Sequence, residues 1–240
     1  MPARLVVYFP LGDPAVAPDL LDLYADCGVD VVECGWPSRE PYLDGPDVRA
    51  SMARALSHDA GAAWSAVRER FAGRSGPSAL LMTYATGRHP GLTDPQFFSR
   101  AYGVLAVAPP GDVVRSALEA RARASGAAVC SFLPNPLIED DIAEARAADG
   151  YVMLQAAPGL TGPRPSLDPG NAERIARLRD AGVAAPIVLG FGVSTPEHAR
   201  AALALGADGV VVGSAALRAS LQGPVALAAL LNGLRRGLDG

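Results

Sequence analysis

Short β-branched apolar runs recur along the chain, separated by Ala/Arg/Leu segments in which apolar positions return at helical spacing. Strands are predicted over residues 4–9, 30–34, 79–84, 103–107, 127–132, 150–155, 186–190 and 209–213. Helices are predicted over 17–27, 46–71, 112–125, 139–148, 171–181 and 196–205, with a last apolar helix over 223–238. The strand runs are nearly continuous in hydrophobicity rather than alternating, as in parallel sheets covered on both faces. Eight β-then-α repeats in 240 residues predict an α/β fold, a (β/α)8 TIM barrel forming a single domain over 1–240. A doubly wound sheet is the second choice of topology. The third unit is short, because residues 93–100 leave little room for a full crossover helix. No linker, repeat or charge block divides the chain.

Composition narrows the chemistry. All 21 basic residues are Arg, and there is no Lys. That excludes a lysine Schiff base, lysine-anchored pyridoxal phosphate and the P-loop lysine. The absence itself reads as mutational bias, in keeping with the chain's wealth of Ala, Gly, Pro and Arg. Net charge is 21 − 25 = −4. The Arg residues are scattered and no aromatics alternate with them, so no nucleic-acid groove is expected. No secretory apolar core precedes Gly12-Asp13-Pro14, and no run approaches a membrane span. Cys27, Cys34 and Cys130 are odd in number and unrelated in spacing, which points to a reducing, cytoplasmic setting. His58, His89 and His198 are isolated, so no metal site is expected.

In a barrel, chemistry gathers at the C-terminal ends of the strands. Three ends stand out. The second strand leads into Glu33-Cys34-Gly35-Trp36-Pro37 and then Asp44-Gly45-Pro46. A carboxylate closing an apolar strand either reaches the open mouth or has a raised pKa. A short loop can bring Glu33 and Asp44 to one pocket. The alternative is structural, with Glu33 paired to a loop Arg such as Arg39 and Asp44 capping the next helix. The seventh and eighth strands end in Gly190-Phe191-Gly192-Val193-Ser194 and Gly213-Ser214-Ala215. Such paired glycine ends suit phosphate binding through backbone N–H groups at a helix start, against the plainer reading of tight turns. The loop after the sixth strand, from Ala156 through Thr161-Gly162 to Ser166, has the length and Gly/Pro content of a lid or of an ordinary surface loop.

These residues resemble the α subunit of tryptophan synthase over nearly the whole chain. The resemblance is carried by Leu11-Gly12-Asp13-Pro14, the Glu33-Cys34-Gly35-Trp36-Pro37 and Asp44-Gly45-Pro46 pair, and Leu81-Met82-Thr83-Tyr84. Gly159-Leu160-Thr161-Gly162, Gly190-Phe191-Gly192-Val193-Ser194 and residues 206–215 continue it. The last two motifs also occur in other phosphate-binding barrels, whereas the strand-two motif discriminates. The resemblance implies cleavage of indole-3-glycerol phosphate to indole and glyceraldehyde 3-phosphate, a retro-aldol reaction without metal or cofactor. It implies Glu33 as general acid/base at the indole C3 and the glycerol hydroxyl. Asp44 would accept the indole N–H and stabilise the cationic intermediate. Gly162, Gly192, Gly213 and Ser214 would hold the phosphate, Met82, Tyr84, Met153 and Phe191 would line the indole pocket, and Thr161 would sit on the lid.

Several departures from the family pattern fall on the face with which, the resemblance implies, the family docks its β subunit. The chain starts almost at its first strand, where the family has an extra helix. Ser38-Arg39-Glu40-Pro41 replaces Phe-Ser-Asp-Pro, Ala108-Pro109-Pro110 replaces an Asp-Leu-Pro type motif, Thr86 replaces an Asn, and Met153 replaces a Tyr. The carboxylates are kept while the communication surface is not, so an active lyase with weakened or absent β-subunit partnership is expected. The alternatives are a non-catalytic regulatory barrel and a lyase for another phosphorylated aldol. A dinucleotide-binding oxidoreductase is disfavoured, because Gly190-Phe191-Gly192 comes late and lacks the third glycine and downstream acid of that fingerprint.

Overall fold

A computed structural model describes residues 2–73, 76–85, 89–109, 111–162 and 165–240. Thr86 and Pro110, two of the divergent positions above, lie outside them. Eight parallel strands close into a barrel in sequence order: β1 (Arg4–Pro10), β2 (Val31–Gly35), β3 (Ser78–Tyr84), β4 (Gly103–Val107), β5 (Ala128–Leu133), β6 (Val152–Gln155), β7 (Ile187–Gly190) and β8 (Gly209–Val212). Closure comes from β1 against β8, with Arg4 opposite Gly209 and Val7 opposite Val212. The doubly wound alternative is thereby set aside. β2, β4, β6, β7 and β8 are buried at every position. Their unbroken apolar runs follow from that, since one face meets the barrel interior and the other the helices.

The helices are α1 (Leu21–Asp26), α2 (Pro46–Ala55), α3 (Ala60–Phe71), α4 (Val113–Ala124), α5 (Glu139–Ala147), α6 (Asn171–Asp180), α7 (Pro196–Ala204), α8 (Ser214–Gln222) and α9 (Pro224–Asp239). One predicted helix is corrected. The continuous helical pattern over 46–71 is broken, because Asp59 accepts a hydrogen bond from Ala62 N–H and caps α3 afresh. An N-cap turns the backbone out of helical geometry whatever the surrounding apolar period says. Elsewhere Asp112 caps α4 and Thr195 caps α7 in the same way. None of the described helices is long and apolar enough to cross a membrane.

The third unit is short, as its sequence implies. A 3-10 turn at Pro90–Leu92 and a run of turns link β3 to β4. Buried Phe97 and Phe98 fill the space where a crossover helix would pack, and Trp64 of α3 donates its indole N–H to the Phe97 carbonyl at 2.8 Å. The Gly12-Asp13-Pro14 turn after β1 is pinned to α2. Asp13 accepts two hydrogen bonds from Arg54, at 2.8 and 2.6 Å, and one from Ser51 at 2.5 Å. Burial pushes the Asp13 carboxyl up, but these bonds outweigh it and hold the group below its usual range.

Candidate active site

Glu33 sits on β2 with its register partner Tyr8 on β1, and both line a cavity at the C-terminal end of the barrel. Its Oε2 accepts a hydrogen bond from the Tyr151 hydroxyl at 2.7 Å. Burial raises the Glu33 pKa to about 7; the Tyr151 bond pulls it down and the charge of Asp44 pushes it further up. A carboxyl held there exchanges its proton readily near neutral pH, which a general acid/base requires. The structural alternative for Glu33, pairing with Arg39, is not what forms.

Asp44 is placed by the loop between β2 and α2. Its Oδ2 accepts from the Tyr84 hydroxyl at 2.7 Å and its Oδ1 from the Thr161 hydroxyl at 3.3 Å. Burial raises its pKa, while those two hydrogen bonds and the charge of Arg49 counter the rise. Asp44 does not cap α2, whose N-cap is Gly45 without a side-chain bond. Both donors bond the ionised form best, so they favour a carboxylate that only accepts hydrogen bonds.

Thr161 closes the cavity from above. Its backbone N–H donates to Leu43 O at 3.2 Å, and its hydroxyl oxygen accepts from Gly45 N–H at 2.8 Å. The approach is so close that a Cβ on residue 45 would lie 2.2 Å from the Thr161 carbonyl oxygen, so only glycine fits. The loop is anchored below by Gln155, which donates to Gly159 O at 2.7 Å and accepts from Asn135 N–H at 2.8 Å. Asn171, fully buried at the start of α6, donates to Ala156 O at 2.9 Å.

The cavity beneath holds about 50 Å³. That is room for a water or two rather than a bicyclic ring. Met82, Tyr84, Met153 and Phe191 all line it, as do Gly213 and Ser214. Phe191 stands against Phe132 at 5.4 Å between ring centroids and has a φ of 68°, an uncommon left-handed backbone for a bulky residue. Gly213 and Ser214 open α8, so the unpaired N–H groups of its first turn lie at the cavity wall. Gly162 and Gly192, expected to hold phosphate, are not part of the wall; each flanks a residue that is, Thr161 and Phe191.

Sequence reading missed Tyr151 and Tyr8. Tyr151 is two residues before Met153, and β-strand alternation puts the two on the same face. A larger groove, about 640 Å³, opens at the other end of the barrel between Phe71–Gly73, Ser78–Ala79 and Arg100–Tyr102. Among the described residues no carboxylate or Cys lines it, so size does not decide the site here.

Two buried carboxylates of raised pKa lining one largely apolar cavity, with a helix start beside it, define the site of an enzyme that works by carboxylate acid–base chemistry. Comparison with known proteins makes this particular. The family model described as tryptophan synthase alpha chain matches residues 2–89 and 101–227. A tryptophan synthase alpha chain from Geobacter sulfurreducens is 34% identical over 226 residues, covering 89% of this chain and 83% of its own length. One from Arabidopsis thaliana is 28% identical, with coverages of 89% and 80%. Tryptophan synthase from Mycobacterium tuberculosis superposes with a TM-score of 0.81 at 26% identity, covering 99% of this chain and 93% of that one. The chain belongs to the tryptophan synthase alpha chain family, lyases that cleave indole-3-glycerol phosphate.

Proposed function

We propose that this chain releases free indole from indole-3-glycerol phosphate through Glu33 and Asp44, without needing a β subunit. The observation that carries the reading is the convergence of these two buried carboxylates on one cavity, whose far wall is the Gly213-Ser214 helix start. The phosphate sits at that helix start, held by backbone N–H groups and the Ser214 hydroxyl, with Gly192 and Gly162 in the adjoining loops letting the backbone approach. The indole ring lies among Met82, Tyr84, Met153 and Phe191.

Protonated Glu33 delivers its proton to the indole C3. The ring becomes an indolenine-like cation, and ionised Asp44 accepts its N–H and offsets its charge. The carboxylate left at Glu33 then takes the proton of the adjacent glycerol hydroxyl. The O–H electrons form the aldehyde C=O, the C–C bond breaks, and its electrons restore the neutral ring. One proton has moved from oxygen to carbon, and Glu33 returns to its starting state. The pKa of about 7 suits a group that must give and take a proton in one turnover.

Independence from a β subunit is supported by the lid, which closes on this chain's own Leu43, Asp44 and Gly45. The altered segments Ser38–Pro41 and Ala108–Pro109 weaken the case for a conserved docking face. A cytoplasmic setting fits the three buried free thiols. The test is indole release by the purified chain from indole-3-glycerol phosphate, beside Glu33→Gln and Asp44→Asn. Wild type is expected to turn over alone and each variant to lose at least about 100-fold. Thermal stabilisation by indole-3-propanol phosphate with no turnover, with or without a β subunit, would sink the lyase reading in favour of a regulatory barrel.

A further inference from the structure

The Tyr8 hydroxyl has no part in the mechanism above, yet it is buried at the centre of the site. Among the described residues no group hydrogen-bonds it, although Tyr8 is only 3% exposed. Burying a hydroxyl unpaired is costly, because the hydrogen bond it made to water is not replaced. A Phe of the same shape would avoid that cost, so the oxygen calls for a partner from outside the chain.

Its position says which part of a substrate supplies the partner. β1 pairs with β2 on one side and β8 on the other. Tyr8 is opposite Glu33, and it follows Val7, the register partner of Val212, which immediately precedes Gly213. Tyr8 therefore stands between the acid/base and the phosphate end. Its ring lies across Gly35, where a Cβ would come within 2.4 Å of the hydroxyl oxygen. The glycine keeps that oxygen in place one inward position above Glu33. A molecule with phosphate at Gly213-Ser214 and its ring carbon at Glu33 must run its glycerol segment past Tyr8. The polar atoms of that segment are hydroxyls.

We propose that the Tyr8 hydroxyl donates a hydrogen bond to the glycerol oxygen next to the ring, the oxygen that becomes the aldehyde when the C–C bond breaks. This rests on the lyase reading above. As Glu33 removes the proton from that oxygen, negative charge builds there, and a fixed donor in a dry site stabilises it. Tyr8 transfers no proton. Burial and the nearby charges of Asp44 and Glu33 push its pKa well above the usual phenol value, so it stays a donor throughout.

The experiment is Tyr8→Phe, measured for turnover, for stability without ligand, and for affinity towards indole-3-propanol phosphate, which lacks the hydroxyl in question. The expected result is a kcat about 10-fold or more below wild type. Thermal midpoint should be unchanged or higher, and the analogue should bind as it does to wild type. A kcat within about twofold of wild type overturns the proposal. So does a parallel loss of analogue affinity or a lower thermal midpoint, since either makes the hydroxyl a packing or ring-binding element. Absence of indole release from wild type itself is a different failure and sinks the underlying lyase reading.

Discussion

Replacing Glu33 with Gln keeps the side chain's volume and its ability to accept from Tyr151, and removes only the ionisation. The carboxyl sits at about 7 in the native state against an ordinary value of 4.5, because burial disfavours its charge. Between those values the native state holds a proton that the unfolded chain has released, so stability falls as pH rises through that window. At about 1.4 kcal/mol for each tenfold change, the wild type loses about 3 kcal/mol by pH 8. The variant has no such slope. Glu33→Gln is therefore expected to equal the wild type near pH 4 and to exceed it by about 3 kcal/mol at pH 8. For a chain of this size that corresponds to about 6–12 °C in thermal midpoint. Indole release should meanwhile fall at least about 100-fold. Urea unfolding of both proteins at pH 5, 6, 7 and 8 reads the stability difference directly. A difference that does not change with pH would refute the reasoning, since it would mean that Glu33 ionises normally.

Tyr151→Phe removes the hydrogen bond that lowers the Glu33 pKa. The Glu33 step in the pH profile of kcat/KM should move above about 7, and an unchanged profile would separate Tyr151 from Glu33. Gly45→Ala places a Cβ 2.2 Å from the Thr161 carbonyl oxygen. At a φ of −76°, however, the backbone suits any residue. Turnover should drop about 10-fold through failed loop docking, with a stability cost of about 1–3 kcal/mol because the clash is with backbone, checked by kinetics beside thermal melting. Asp13→Asn breaks the charge-assisted bonds from Arg54, and because that carboxyl is held below its usual range its contribution is present at neutral pH and lost as pH falls through its folded value. Denaturation at pH 7 should show a loss of about 1–2 kcal/mol that disappears in acid.

The strands of the barrel were legible because most of their positions are buried on both faces, which leaves nearly continuous apolar runs. Glu33 was legible because a carboxylate ending such a run is costly without a purpose. Asp59 was not: a cap inside an apolar helical period carries no periodic signal, so α2 and α3 read as one helix. The make-up of the cavity wall shows the same limit. Gly213 and Ser214 begin a helix at the cavity wall, while Gly162 and Gly192 stand one residue beyond it, a distinction of backbone direction that composition does not encode.

By itself the amino-acid order determined the eight-fold alternation, the absence of any lysine route to carbon–carbon cleavage, and the two carboxylates proposed to carry it. Tertiary structure alone decided what surrounds them. Tyr151 lies 118 positions from Glu33, Thr161 lies 117 from Asp44 and Tyr84 lies 40 from Asp44. Their hydrogen bonds and shared burial set the proton affinities on which the chemistry depends. Charge in a protein interior is governed by what lies within a few ångströms, and only barrel closure brings those partners within that distance.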